Sequence, residues 1–340
     1  MNESSLLLSV KDLKTHFYVR EGTVRSVDGV SFEVHQGRTL GIIGESGCGK
    51  SVTALSILRI VPPPGRIVKG KILFHRTLED GGSDRVTEVV DLTDLDPRGD
   101  DIRSIRGKEI AMVFQEPMSS LTPVYTVGNQ IMESILLHQE VNRSEARERA
   151  VEMLRRVGMP QPEQTVDSYP HQLSGGMRQR AMIAIALSCH PSLLIADEPT
   201  TALDVTTEAQ ILELMRDLQE ELGMSIMFIT HNLGVIAEMA EDVAVMYLGK
   251  IVERAGVVSL FHSPLHPYTK ALLKSIPQIG RKSQQRLASI KGSVPDPYSL
   301  PDGCLFHPRC SQFMENRCER HEPELLEVEN GHWVRCLLYS

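Results

Sequence analysis

Gly44-Glu45-Ser46-Gly47-Cys48-Gly49-Lys50-Ser51 follows the pattern G-x-x-x-x-G-K-[ST], a glycine-rich loop that belongs between a strand and a helix. The apolar run Thr39-Leu40-Gly41-Ile42-Ile43 stands directly before it and fits a buried strand. The stretch from Lys50 to about Val61 reads as a helix, stopped by Pro62-Pro63-Pro64-Gly65. A strand, a glycine-rich loop and a helix in that order make an anion cradle. Glycines let the backbone curl until its N–H groups converge on phosphate oxygens, and the helix start adds its positive end. Lys50 supplies a mobile point charge for the terminal phosphates, and the Ser51 hydroxyl is a ligand for Mg²⁺. The loop is therefore expected to hold ATP.

The chain around the loop predicts an α/β architecture. Residues 24–34 alternate like a strand, with Asp28-Gly29 as a turn signal, and residues 110–114 form a short apolar run. Further apolar runs occur at 192–197, 224–230 and 242–247, with helical patterns near 205–222 and 233–240. Such alternation argues for a mostly parallel sheet with helices on both faces. Residues 75–100 are polar and rich in Gly and Asp, and read as surface loops with a short strand near Val89. The segment from Glu116 to His190 has helical periodicity around 127–139 and 144–157 and little β signal, as expected of a helical insertion. After Gly256 the pattern weakens to a helix over Pro267–Ser275 and a tract containing Pro295, Pro297, Pro301 and Pro308. No internal repeat is visible.

Bulk properties bound the rest. The 340 residues suffice for two or three compact units. A net charge of −8 argues against a general nucleic-acid binder. No run of 18 apolar residues occurs, and the segment Met1 to Val10 carries Glu3 and no basic start, unlike a secretory signal. A cytosolic location is expected.

A second chemical element is Ser192-Leu193-Leu194-Ile195-Ala196-Asp197-Glu198, a buried strand ending in two carboxylates. Paired acids at a strand end also occur as a solvated turn. Beside a phosphate loop, Asp197 is expected to hold Mg²⁺ through its water shell and Glu198 to orient or deprotonate the attacking water.

With these in place, Leu173-Ser174-Gly175-Gly176-Met177-Arg178-Gln179-Arg180 resembles the signature of the ATP-binding cassette (ABC) ATPases. The resemblance covers about residues 5–255. It implies that Gln115 is the Q-loop residue, linking the γ-phosphate and Mg²⁺ to the helical insertion. Thr201-Ala202-Leu203-Asp204 matches the D-loop, and His231 the switch histidine, followed here by Asn232 where the family often has Asp. Phe17, with Tyr18 as the alternative, matches the aromatic that stacks on adenine. The implied nucleotide contacts are Phe17, Gly44, Glu45, Ser46, Gly47, Cys48, Gly49, Lys50, Ser51, Val52, Gln115 and Asp197, with Ser174, Gly175 and Gly176. Ser51, Gln115 and Asp197 would hold Mg²⁺; Glu198, His231 and Gln115 would carry catalysis. Since the signature of one cassette faces the phosphate loop of another in this family, a second cassette is implied, either a second copy or a related subunit, with a related chain in a heterodimer the expectation.

The implied fold is a P-loop NTPase (RecA-like) core with an antiparallel β subdomain. Residues 1–115 and 191–255 would form the core, 116–190 the helical subdomain and 256–340 a C-terminal extension.

Cys304, Cys310, Cys318 and Cys336 crowd that extension. Their spacing lacks close C-x₂-C pairs and leaves metal, iron–sulfur cluster and free thiols all open. Ser263-Pro264-Leu265-His266-Pro267-Tyr268-Thr269 and Gly303-Cys304-Leu305-Phe306-His307-Pro308-Arg309-Cys310 resemble the C-terminal region of dipeptide/oligopeptide (and nickel) importer ATPases. That resemblance implies a [4Fe–4S] cluster on the four cysteines, as in some members. It also implies two transmembrane permease subunits, an extracytoplasmic substrate-binding protein as an indirect partner, no nucleic acid, and a peripheral place on the cytoplasmic face of the membrane. Peptide is the expected cargo; nickel or oligosaccharide transport, or a non-transport ABC ATPase, are the alternatives.

Overall fold

The computed structural model describes residues 5–79, 85–116, 120–201, 203–275 and 290–340. Ala202 of the D-loop assignment lies outside them. The chain falls into two compact units. The first takes residues 94–228 with two short N-terminal pieces, and the second takes Leu8–Val34, Thr39–Thr93 and Ile229–Ser340. The expected segment 116–190 lies within the first unit and the expected segment 256–340 within the second, while the expected core is divided between them.

In the first unit, strand β6 (Ile110–Val113) runs parallel to β7 (Leu193–Asp197), with Ile110 opposite Leu193 and Val113 opposite Ala196. Every residue of β7 is buried. That explains its unbroken apolar run, since a strand covered on both faces has no solvent side to alternate with. Strand β8 (Ser225–Thr230) starts beside it, the Ser225 N–H donating to Ser192 O at 2.9 Å. Among the described residues, the expected helical segment holds the helices Val127–His138, Arg143–Arg156 and Gly175–Leu187 and the short helix Pro162–Thr165. The starts of the three longer ones are set by side-chain caps. Thr126 Oγ1 accepts from the Asn129 N–H and Asn142 Oδ1 from the Glu145 N–H, satisfying amides with no partner inside the helix. The helix Val205–Leu222 is capped by Asp204 and ended by Gly223 in the left-handed conformation.

The second unit contains two sheets. One is antiparallel, in the order β2 (Gly22–His35), β1 (Leu6–Val19), β4 (Gly65–Glu79), β5 (Arg85–Asp91). Leu8, Val10 and Leu13 of β1, Val27, Val30 and Phe32 of β2, and Ile72 and Phe74 of β4 are all buried. In the other sheet, β3 (Thr39–Ile43) runs parallel to β9 (Asp242–Tyr247), Leu40 standing opposite Asp242. Strand β10 (Lys250–Gly256) is antiparallel to β9, and the tail adds β12 (His332–Val334) and β11 (Leu326–Glu329) beyond it.

Three expectations are corrected. Residues 75–100 hold more strand than expected: the strand near Val89 is β5 (Arg85–Asp91), and β4 also runs on to Glu79, with Phe74 opposite Val90 and His75 opposite Val89. Cross-strand partners outweigh the weak strand propensity of this polar stretch. Asp28-Gly29 does not turn the chain; both lie inside β2, where Gly29 takes φ +82°. The helix after the phosphate loop ends at Ile57, before the proline tract, with Arg59 in the left-handed region.

Candidate nucleotide site

The phosphate loop joins β3 to the helix Lys50–Ile57, and its glycines are required by close approach. A Cβ on Gly44 would stand 2.2 Å from Met246 O, and one on Gly49, at φ +99°, 2.1 Å from Ser26 O. The loop thus lies directly on the backbone of β2 and β9, with no room for a side chain. Ser46 and Gly47 are exposed, while Gly44, Cys48 and Gly49 are buried and Ser51 and Val52 half-buried. Lys50 is only 5% exposed, and its Nζ donates to Gly44 O at 2.8 Å and Glu45 O at 3.1 Å. The cation is held against the carbonyls of its own loop. Cys48 points inward, and burial raises its thiol pKa, so it is a poor nucleophile.

The C-terminal region reaches this loop. Arg309 binds the Glu45 carboxylate bidentately, Nη1 to Oε2 at 2.6 Å and Nη2 to Oε1 at 3.0 Å. The Glu45 N–H donates to Tyr268 Oη at 2.9 Å. Tyr247, Tyr268 and Phe306 pack together, with ring centroids 4.8 to 5.4 Å apart. Behind them Glu253, fully buried on β10, accepts the N–H groups of Leu265 and His266, and the ring of His332 bonds to it at 2.8 Å. A buried carboxylate needs such partners, and each of these ties the tail to the sheet. Nothing in the sequence pattern singled out Arg309 or Tyr268. Their partners lie 264 and 223 positions away, and only the quoted Pro267-Tyr268 and Pro308-Arg309 context marked the region.

The first unit holds the acidic pair. Asp197 ends β7 and is 5% exposed. Glu198 follows with φ +47°, an uncommon conformation for a residue with a side chain. The turn is closed by the Thr201 N–H donating to Glu198 O at 3.2 Å. Glu198 Oε2 accepts from Gln115 Nε2 at 3.2 Å and from Thr201 Oγ1 at 3.1 Å. Two residues expected to share a task, Gln115 and Glu198, are therefore in contact although 83 positions apart. Ser174 caps the helix Gly175–Leu187, accepting from the Met177 N–H, and with Gly175 is exposed. Gly176 is close-packed, since a Cβ there would lie 2.8 Å from Thr207 Cγ2.

In the second unit His231 is exposed, between Thr230 and the Asn232 cap of the helix Leu233–Met239. Asn232 Oδ1 accepts from the Gly234 N–H at 3.0 Å, a capping task that Asn performs as well as Asp. Phe17 is half-buried with its ring against Gly65, whereas Tyr18 is 49% exposed.

Cys304, Cys310, Cys318 and Cys336 fold into one region, the other three near enough to Cys304 for their charge to act on its thiol. Burial pushes the Cys304 thiol up to about 11 and raises those of Cys310 and Cys336. Cys304 N–H donates to Cys318 O at 2.8 Å, so backbone bonds already fasten the region. Among the described residues no group of three or more His, Cys, Asp or Glu side chains is placed to hold a metal ion. The expected iron–sulfur site therefore has no support in the side-chain arrangement.

The architecture and these motifs define a nucleotide-binding cassette, and comparison with known proteins assigns it. A family model described as ABC transporter matches residues 27–201, and one described as oligopeptide/dipeptide transporter, C-terminal region, matches 252–318. The chain is 51% identical to the oligopeptide transport ATP-binding protein AppD of Bacillus subtilis, over 99% of this chain and 98% of that protein. It is 46% identical to the dipeptide transport ATP-binding protein DppD of Escherichia coli, over 97% and 96%. Among solved structures, the dimeric ATP-binding cassette MJ0796 bound to ADP and Pi superposes with a TM-score of 0.62 at 25% identity, covering 74% of this chain and 99% of that one. The chain belongs to the ATP-binding subunits of ABC transporters, and within them it carries the C-terminal region of the oligopeptide/dipeptide branch. It is an ABC-type ATPase with the mixed α/β P-loop fold.

Proposed function

We propose that this chain is the ATP-hydrolysing motor of an importer for di- or oligopeptides. What carries the reading is the near-full-length similarity to relatives named as oligopeptide and dipeptide transport ATP-binding proteins. The phosphate loop, with Lys50, would hold the triphosphate; Ser51, Gln115 and Asp197 would hold Mg²⁺, which offsets phosphate charge when bound. Phe17 would stack on the adenine. Glu198 takes the role of base or water-orienting group, supported by its place at the end of β7 and its bond to Gln115. His231 acts beside the γ-phosphate. Ser174, Gly175 and Gly176 close over the nucleotide of a second cassette, in keeping with the dimeric form of the MJ0796 neighbour. We take that partner to be a related chain.

No helix among the described residues is long and apolar enough to cross a membrane; the similarity to transport ATP-binding proteins supports membrane permease subunits as partners. The helical segment 116–190 is the part we assign to them. Val124, Tyr125 and Leu137 are 71, 55 and 73% exposed, apolar surface that a partner would cover. The chain would then sit on the cytoplasmic face of the membrane as a peripheral subunit.

The Glu198→Gln variant tests the motor. It is expected to keep Mg-ATP binding and to lose turnover by roughly 10²–10⁴-fold; unchanged turnover sinks the base assignment. Uptake of labelled peptides by cells lacking this chain, compared with uptake of nickel and oligosaccharides, tests the cargo. The iron–sulfur reading of the four cysteines rests on the resemblance of the C-terminal region, without a metal-holding group of side chains among the described residues. Anaerobically purified protein with about four irons per chain would support it, and colourless iron-free protein would exclude it.

A further inference from the structure

Glu45 places a carboxylate on the loop proposed to receive a triphosphate, and a second negative charge on that loop opposes binding. The structure supplies an answer from elsewhere in the same unit. The side chain of Arg309 is 4% exposed and engages both carboxylate oxygens of Glu45, which itself is 27% exposed. Arg309 is in turn immobilised. Its Nε donates to Lys291 O at 3.3 Å, its Nη1 to Tyr247 Oη at 3.4 Å, and its guanidinium lies 5.9 Å from the Tyr247 ring centroid. Tyr268, fully buried, holds the backbone of the same loop residue through the Glu45 N–H. Two residues of the C-terminal region thus converge on one residue of the phosphate loop, one on its charge and one on its backbone.

We infer that Arg309 is a positioning residue for the phosphate loop: by neutralising and orienting Glu45 it sets the affinity of the loop for Mg-ATP. The C-terminal region then tunes the nucleotide site without touching the nucleotide. This rests on Gly44–Ser51 being the ATP site, and the test separates the two claims. Removing Arg309 leaves the Glu45 charge on the phosphate loop uncompensated, whereas removing both charges leaves little to compensate.

The experiment is a two-by-two comparison in the full chain, Arg309→Met with and without Glu45→Gln, titrated with Mg-ATP and assayed for turnover. Arg309→Met alone is expected to raise Kd and KM about tenfold, with kcat changed far less. Added to Glu45→Gln, the same substitution is expected to change Kd less than about twofold. Equal losses in both backgrounds would show that Arg309 merely fastens the tail, and would overturn the inference, as would no loss in either. Should Arg309→Met fail to fold, Arg309→Gln provides the same comparison, because glutamine removes the charge while keeping a polar, hydrogen-bonding side chain. Failure of the unsubstituted chain to bind Mg-ATP would instead sink the reading of the loop itself.

Discussion

At the scale of single residues, the phosphate loop is a steric statement before it is an electrostatic one. Gly49 has φ +99° and sits against Ser26 O, so a methyl group there meets backbone that cannot retreat. Gly49→Ala is expected to lower stability by about 1–3 kcal/mol and to abolish the gain in Tm that Mg-ATP gives the unsubstituted chain. Thermal unfolding with and without nucleotide checks both parts. Glu198 is a second position of the site with left-handed backbone, and its carboxylate bonds to Gln115. The motif Asp197-Glu198 was readable in the sequence; the contact between Glu198 and Gln115 was not, because nothing local records which strand ends meet.

At the scale of elements, the helices of the first unit were legible because their apolar spacing and their caps agree. The helix Arg143–Arg156 starts at Asn142, whose side chain takes the Glu145 N–H at 3.0 Å. Asn142→Ala is expected to cost about 1 kcal/mol in chemical denaturation while leaving Mg-ATP affinity as it was. The antiparallel sheet was harder to read. Strand β5 shows no clean alternation and is held by pairing with β4 along Leu73 to Glu79, so its partner, not its composition, makes it a strand. The tail strands β11 and β12 are only four and three residues long, too short for any period to register, and exist because β10 offers an edge.

At the scale of the whole molecule, the C-terminal region is a working part of the second unit. Its junction includes His266, fully buried, whose ring Nδ1 caps the helix Pro267–Lys274 by accepting from the Tyr268 N–H. Burial pushes His266 from 6.5 down to about 3. The folded chain therefore refuses a proton that the unfolded chain accepts. The contribution of His266 is fully present above pH 6.5 and is lost as pH falls toward 3. The slope from this group is up to about 1.4 kcal/mol per pH unit. His266→Asn keeps an acceptor for the Tyr268 N–H and removes the titration, so its denaturation midpoint is expected to fall less between pH 7 and pH 5, a span of about two units.

By itself the sequence determined the chemistry and its order along the chain. The phosphate loop, the acidic pair, the Ser174 signature and His231 are local patterns, and each depends on residues that are neighbours in the chain. Tertiary structure alone decided what surrounds that chemistry. Arg309 meets Glu45 across 264 positions, and Tyr268 meets the same residue across 223. Such contacts leave no periodicity and no spacing rule in a single sequence, because they are set by which strands pair and which surfaces are buried together. The loop was visible from the first reading, and its dependence on the far end of the chain became visible only in the fold.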